Sequence, residues 1–316
     1  MKPFRKHVAL AIDGGGIRGT MVAKALAVVE AELGQSWSDM VDLTAGTSTG
    51  SIIAAAIAAR LPAARLHELY VHLGASIFKK SLRSLWPLSG YRYPNEPLKN
   101  ALRETLGELR MGDVWKQPNP LDVVITVRDL VENRTRFVKS WKDEYQDWTL
   151  WYAVLCSSTV PTYFPVIDGR YVDGGVGAYT NPCYYAAYEG EIFLGWDQKE
   201  TTLISIGTGR EPGGLAVGQA NRFNALQWIR PLIDTFLADA NDQQVRVVRH
   251  FFPDLDFRRF QIDLNPVIAI DDPSGIPALT RMGEKLAEMI LNDQVDDTPQ
   301  RAVGVPEMAL IEGSTL

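Results

Sequence analysis

The sequence predicts an α/β protein whose largely parallel sheet carries helices on both faces. Three observations predict it. Short apolar runs alternate with helically spaced segments along the chain. Two of the runs end in glycine-framed turns, Asp13-Gly14-Gly15-Gly16-Ile17-Arg18-Gly19 and Gly46-Thr47-Ser48-Thr49-Gly50. The segment after the second turn is apolar all round, as a helix buried inside a domain requires. With 316 residues, 46% of them hydrophobic and 22% charged, the chain can bury a substantial core and has ordinary globular composition.

In order, residues 8–12 read as a buried strand that ends at the glycine loop. Residues 20–33 repeat apolar side chains at helical spacing until Gly34 stops them. A second short strand covers 40–45, and after the Gly-Thr-Ser-Thr-Gly turn the buried helix covers 51–59. Residues 63–78 and 98–106 are helical. Strands at 121–127 and 135–138 flank a polar turn at Glu132-Asn133, and 149–156 is a helix. Asp168-Gly169 marks a turn, and Tyr171-Val172-Asp173 a short strand running into Gly174-Gly175. Residues 203–206 form another buried strand, ending in Gly207-Thr208-Gly209. A long helix covers 223–251 with Pro231 near its first turns, a late strand 260–264, and a final helix 276–291. No internal repeat is visible, and residues 211–218 read as an exposed loop. Residues 1–295 are expected to form one domain, and 296–316 a partly disordered polar tail.

The net charge of −6 offers nothing to nucleic acid in bulk. Cys156 and Cys183 form no Cys-x-x-Cys pair, which favours a reducing compartment over a disulfide scaffold. The basic start, residues 1–6, is followed too soon by Asp13 and glycines to make a signal peptide. No run approaches the ~18 to 20 apolar residues of a spanning helix. The expectation is a cytoplasmic protein whose lipid contact, if it has any, is peripheral.

The first glycine turn has two functional readings. Gly14-x-Gly16-x-x-Gly19 after a strand matches the dinucleotide fingerprint, which expects an acid at the tip of the next strand. That strand ends Leu43-Thr44-Ala45-Gly46, with Asp42 inside it, and Asp13 beside the glycines opposes a pyrophosphate. The second reading is an oxyanion hole, in which successive glycines turn backbone N–H groups toward one point and the following helix adds its positive end. Arg18 either orients the loop, meets a phosphate head group, or pairs with a neighbouring acid.

Gly46-Thr47-Ser48-Thr49-Gly50 displays a serine at a strand-to-helix turn, and a serine nucleophile needs a base within reach. A Ser-Asp-His triad would draw on His7, His67, His72 or His250, of which only His250 follows a candidate acid. Asp173, framed by Gly174 and Gly175, is the competing base.

Taken together, Asp-Gly-Gly-Gly-Ile-Arg-Gly at 13–19, Gly-Thr-Ser-Thr-Gly at 46–50 and Asp-Gly-Gly at 173–175 resemble the patatin-like phospholipases. The run Ser157-Ser158 to Pro165, Asn181-Pro182, 205–209 and Asp271-Asp272 are also similar to that family. The resemblance implies a three-layer α/β/α sandwich and a lipid acyl hydrolase acting on phospholipid or another acyl ester. It implies Ser48 as nucleophile and Asp173 as general base, with no histidine. Gly14, Gly15 and Gly16 would form the oxyanion loop, supported by Arg18 and Gly19, with Gly46 and Gly50 framing the elbow and Gly174 and Gly175 following the base. No metal or cofactor is implied. Partial burial is expected to raise the aspartate toward neutrality. An inert binding or regulated effector module on the same fold is the other functional class, and the intact Ser-Asp pair argues against it.

Between Glu68 and Glu96 no acid occurs, while Lys79, Lys80, Arg83 and Arg92 interleave with Phe78, Leu82, Leu85, Trp86, Leu88, Tyr91 and Tyr93. Residues 78–93 are either a snorkelling segment packed on the domain or an interfacial flap touching a membrane. Trp141, Tyr145, Trp148, Trp151 and Tyr152 are expected in core and rim.

Overall fold

A computed structural model of the protein describes residues 1–79, 90–117, 119–211 and 215–297. The elements run β1 (His7–Ile12), α1 (Gly19–Leu33), α2 (Trp37–Met40), β2 (Leu43–Gly46), α3 (Thr49–Ala58), α4 (Ala63–Ile77) and α5 (Glu96–Leu106). They continue with α6 (Met111–Trp115), β3 (Asp122–Asp129), β4 (Arg134–Lys139), α7 (Leu150–Ser157), β5 (Tyr171–Asp173) and α8 (Cys183–Tyr188). Last come β6 (Thr201–Ile206), α9 (Ala225–Phe251), β7 (Asp256–Phe260) and α10 (Ile276–Leu291).

The strands form one sheet in the order β4-β3-β2-β1-β6-β7, with β5 pairing on β3. The neighbours from β3 to β7 are parallel, whereas β4 and β5 run antiparallel to β3. Alternation along β1 sends Leu10 and Ile12 to one face and Ala9 and Ala11 to the other. The first face packs on α1, α3, α7 and α10 through Met21, Leu26, Ile53, Val154 and Leu286. On the second, Cys183 and Ala186 of α8 and Val245 and Val248 of α9 meet the small alanines. The architecture is the expected three-layer α/β/α sandwich. Gly283 lets α10 lie close on α1, since a Cβ there would stand 2.6 Å from the Met21 carbonyl oxygen.

Asp129 closes the β4 edge. Its buried carboxylate accepts from Arg136 Nε at 2.6 Å and from Arg170 Nη2 at 2.7 Å, tying β4 and the start of β5 to the end of β3. Arg170, with Arg136, holds that carboxyl well below the usual range. Among the aromatics expected in core and rim, Tyr145, Trp148, Trp151 and Tyr152 pack on the first core, and Trp141 on the second.

Two strands sit elsewhere than the sequence suggests. The expected strand 40–45 starts at Leu43, because Ser36 caps the short helix α2 and Asp42 turns its carboxylate onto the Val8 N–H at 2.9 Å. The late strand is Asp256–Phe260 and not 260–264. Arg258 and Arg259, both buried, mask it in an apolar count, and each is neutralised by carboxylates. Helices α2, α6 and α8 are additional to the expected elements. The tail from 298 and residues 80–89 of the 78–93 stretch lie outside the described residues. No helix among the described residues is long and apolar enough to cross a membrane.

Leu286 of α10, fully buried in the first core, gives a test of this packing. Leu286→Ala is expected to lower unfolding stability by about 2–5 kcal/mol, read from urea denaturation. A loss under about 0.5 kcal/mol would contradict the packing of α10, being the size of an ordinary surface substitution.

Candidate active site

Ser48 stands between the end of β2 and the start of α3 with φ 54° and ψ −125°, a backbone conformation that an L residue adopts only under strain. The turn is tight: a side chain at Gly50 would run into the Ile12 carbonyl, and one at Gly46 into the Gly50 carbonyl. Hydrogen bonds hold the strained residue on both sides. The Ser48 N–H donates to Ser157 Oγ at 2.9 Å. Ser51 Oγ and Ser158 Oγ donate to the Ser48 carbonyl at 2.6 and 3.2 Å.

The aspartate arrives from a different direction. Gly46 of β2 pairs with Ile125, whereas β3 continues to Asp129, and Asp173 of β5 pairs with Val127 on that overrun. Thr47 Oγ1 and Thr126 Oγ1 lie 2.6 Å apart, joining the elbow to the same stretch of β3. The Asp173 N–H donates to the Thr159 carbonyl at 3.1 Å. Residues 157–159 therefore grip Ser48 with one end and Asp173 with the other.

Asp173 is buried, and burial pushes its carboxyl up to about 6. The neighbouring Ser48 hydroxyl and the Gly175 N–H, which donates to Oδ1 at 2.8 Å, pull the other way. Oδ2 is buried and has no hydrogen-bond partner among the described residues.

The glycine loop covers the serine: a Cβ at Gly14 would stand 3.2 Å from Ser48 Cβ. Within the expected oxyanion loop one N–H is committed elsewhere. The Gly14 N–H is already given to the Thr180 carbonyl at 2.8 Å, and the Gly14 carbonyl accepts from Thr208 Oγ1 at 2.5 Å. Gly15 and Gly16 have no backbone acceptor for their N–H groups among the described residues. Gly16 has φ +57° and abuts the Ile270 carbonyl, which itself accepts from the Ile17 N–H at 2.8 Å. Arg18 is buried, donates Nε to the Ile268 carbonyl at 2.7 Å and pairs with Glu211. These contacts tie Arg18 to the loops beside the glycines, one of them through a neighbouring acid. A side chain at Gly19 would collide with Thr49 and Tyr70.

Ser48 and Gly16 open on a cleft of about 710 Å³ including its mouth, walled by Ile52, Leu69, Ile77, Leu98, Leu102 and Phe164. Phe78 also lines it, edge-on to Tyr93 at 5.5 Å. The Tyr93 hydroxyl donates to Asp271 Oδ2 at 2.9 Å.

The histidines lie elsewhere. His250 is exposed near the end of α9, His67 Nε2 is 3.2 Å from Thr280 Oγ1, and His7 stacks on Trp196. No described hydrogen bond joins any histidine to Ser48 or Asp173. The dinucleotide alternative lacks its ribose acid, because Asp42 is tied to the foot of β1. Sequence reasoning missed the grip of Ser157 and Thr159 and the partner of Asp13. That partner is Arg259, distant in sequence and carried on a strand placed too late.

The sequence model described as patatin-like phospholipase matches residues 10–187. The cGAMP-activated phospholipase of Pseudomonas aeruginosa is 27% identical over 315 residues, covering 95% of this chain and 90% of its own length. The intracellular phospholipase A2 of Caenorhabditis elegans is 25% identical over 299 residues, 86% of this chain, and the chain spans only 27% of that longer protein. In fold, VipD from Legionella pneumophila superposes with a TM-score of 0.52 at 12% identity, over 92% of this chain and 67% of its own. With the family model matched over more than half its length, the chain belongs to the patatin-like phospholipase family.

Proposed function

We propose that the protein is a lipid acyl hydrolase in which Ser48 is the nucleophile and Asp173 its general base. The observation that carries this reading is the shared grip of residues 157–159 on both groups, with Ser48 lining an apolar cleft. A serine held at positive φ beside a lone buried carboxylate has little structural use, since both features cost stability.

The chemistry follows from the placement. Asp173 takes the Ser48 proton as Oγ bonds to the ester carbonyl carbon. The carbonyl oxygen becomes an oxyanion facing the Gly15 and Gly16 N–H groups. Collapse breaks the ester bond, and the departing alkoxide, an alcohol or lysolipid, takes the proton from Asp173. Water then gives a proton to Asp173 and attacks the acyl-serine. The second collapse releases the fatty acid and returns the proton to Ser48. A carboxyl raised to about 6 is ionised at neutral pH yet basic enough to share a proton in flight. The apolar cleft suits an acyl chain, and the glycine-loop side suits the polar ester. Phe78 in the cleft wall, followed by exposed Lys79, supports lipid entering from a membrane surface on that side.

Three outcomes test this. Ser48→Ala should abolish hydrolysis of a short chromogenic ester while leaving thermal unfolding unchanged. Near-wild-type turnover in that variant would refute the assignment. For the wild type, log kcat/KM should climb with unit slope below about pH 6 and level off above it, because only ionised Asp173 accepts the proton. A profile flat from pH 5 to 8 would rule out that base.

Asp173→Asn should lose at least ~10³-fold in rate and gain stability at pH 8. The folded carboxyl is raised from 3.8 to about 6. The stability due to its protonation is therefore complete below the unfolded value and lost as pH rises through about 6. Ionised Asp173 then costs the fold about 3 kcal/mol, which an amide does not. Unfolding at pH 8 should be shifted up in the variant and the gap should close near pH 4; equal stabilities at both values would contradict the buried ionised aspartate.

A further inference from the structure

Asp13 is the hinge residue between β1 and the three glycines, and it is fully buried. Arg259, also buried, reaches it from β7 across the sheet. The register sets Ala11, Ser205 and Arg259 in one row of β1, β6 and β7. The guanidinium grips the carboxylate with two prongs, Nη1 to Oδ1 at 2.8 Å and Nη2 to Oδ2 at 2.5 Å, and Nη1 also donates to Ser205 Oγ at 2.7 Å. Asp242 from α9 is a further acid facing Asp13, Asp296 faces Arg259, and the Cys183 thiol of α8 lies near both partners. Arg259 lies outside residues 10–187, the part matched by the family model.

We propose that Arg259 is a positioning residue of the oxyanion loop: it cancels the Asp13 charge and fixes the β1–glycine junction, so that an oxyanion at Gly15 and Gly16 forms beside a neutral pair. The proposal rests on the esterase reading above. Two physical arguments carry it. A buried ion pair is a poor stabiliser, since well-packed apolar side chains of similar volume do as well or better. And an uncompensated carboxylate directly before the donor loop, in surroundings of low dielectric, would oppose the negative charge that develops in the transition state. Arg259 touches no substrate. It acts through Asp13 and the loop, while the Gly14 N–H and carbonyl are pinned separately by Thr180 and Thr208.

The test is steady-state hydrolysis of a short soluble ester at pH 8.5 by the full chain and three variants. Arg259→Gln should lower kcat about 10- to 100-fold with KM within about twofold, as expected when stabilisation of the transition state alone is lost. Arg259→Lys, which keeps the charge, should retain most of kcat. The double variant Asp13→Asn with Arg259→Gln, which removes both charges, should recover to above one tenth of the wild-type kcat. A double variant below one tenth overturns the proposal, as does Arg259→Gln at wild-type kcat. If Arg259→Gln alone fails to fold, the double variant decides by the same threshold. The outcomes separate from those of the parent reading: a wild type that hydrolyses no ester sinks the esterase assignment, whereas an active wild type indifferent to these charges sinks only the role of Arg259.

Discussion

Strand β2 stops at Gly46 opposite Ile125, while β3 runs on to Asp129 and receives β5 on its free length. Everything in the candidate site depends on that difference in strand length. It leaves room past the end of β2 for Ser48 to turn into α3, and it brings Asp173, paired with Val127, to the level of that turn. The Asp129 ion network keeps the overrun from fraying, since Arg170, just before β5, ties that strand to β3 and Arg136 ties β4. A parallel sheet of equal strands would have placed the two groups on separate loops.

The same region gathers costs that the core must offset. Ser48 at positive φ is strained by about 1–3 kcal/mol, and the buried Asp173 carboxylate is unfavourable above its raised pKa. Against these stand the two apolar layers on either face of the sheet and the hydrogen bonds from residues 157–159. Segregation is clear: polar side chains meet around the loop ends of β1, β2 and β6, and apolar ones wall the cleft between α4, α5 and residues 160–164. A lipid ester, with one polar group and a long apolar arm, matches that division.

Much of this was legible in the sequence because local chemistry agreed with global placement. Glycines at 46 and 50 marked the elbow, since only they admit its close backbone approaches. The apolar 51–59 segment announced a helix buried between layers, and the helices at 20–33, 63–78 and 276–291 followed from spacing. What escaped was nonlocal. No pattern at Ser157 shows that its hydroxyl accepts from Ser48, because 109 residues separate them. Strand β7 was displaced in the reading because Arg258 and Arg259 look like surface residues until their acids are known. The sequence groups Gly14 with Gly15 and Gly16 in one loop, and only the fold reveals that Thr180 takes the Gly14 N–H. Asp173 itself is an ordinary Asp-Gly turn signal, raised above that only by the family resemblance.

The central claim is that one serine, held beside one carboxylate, is the nucleophile. Peptide mapping after treatment with a fluorophosphonate tests it most directly, because such reagents phosphonylate a serine only where its hydroxyl is activated. A single adduct is expected, on Ser48, whose formation slows sharply in Asp173→Asn and is unchanged in His250→Ala. An adduct on another serine, or labelling of Ser48 that needs His250 and not Asp173, would contradict it.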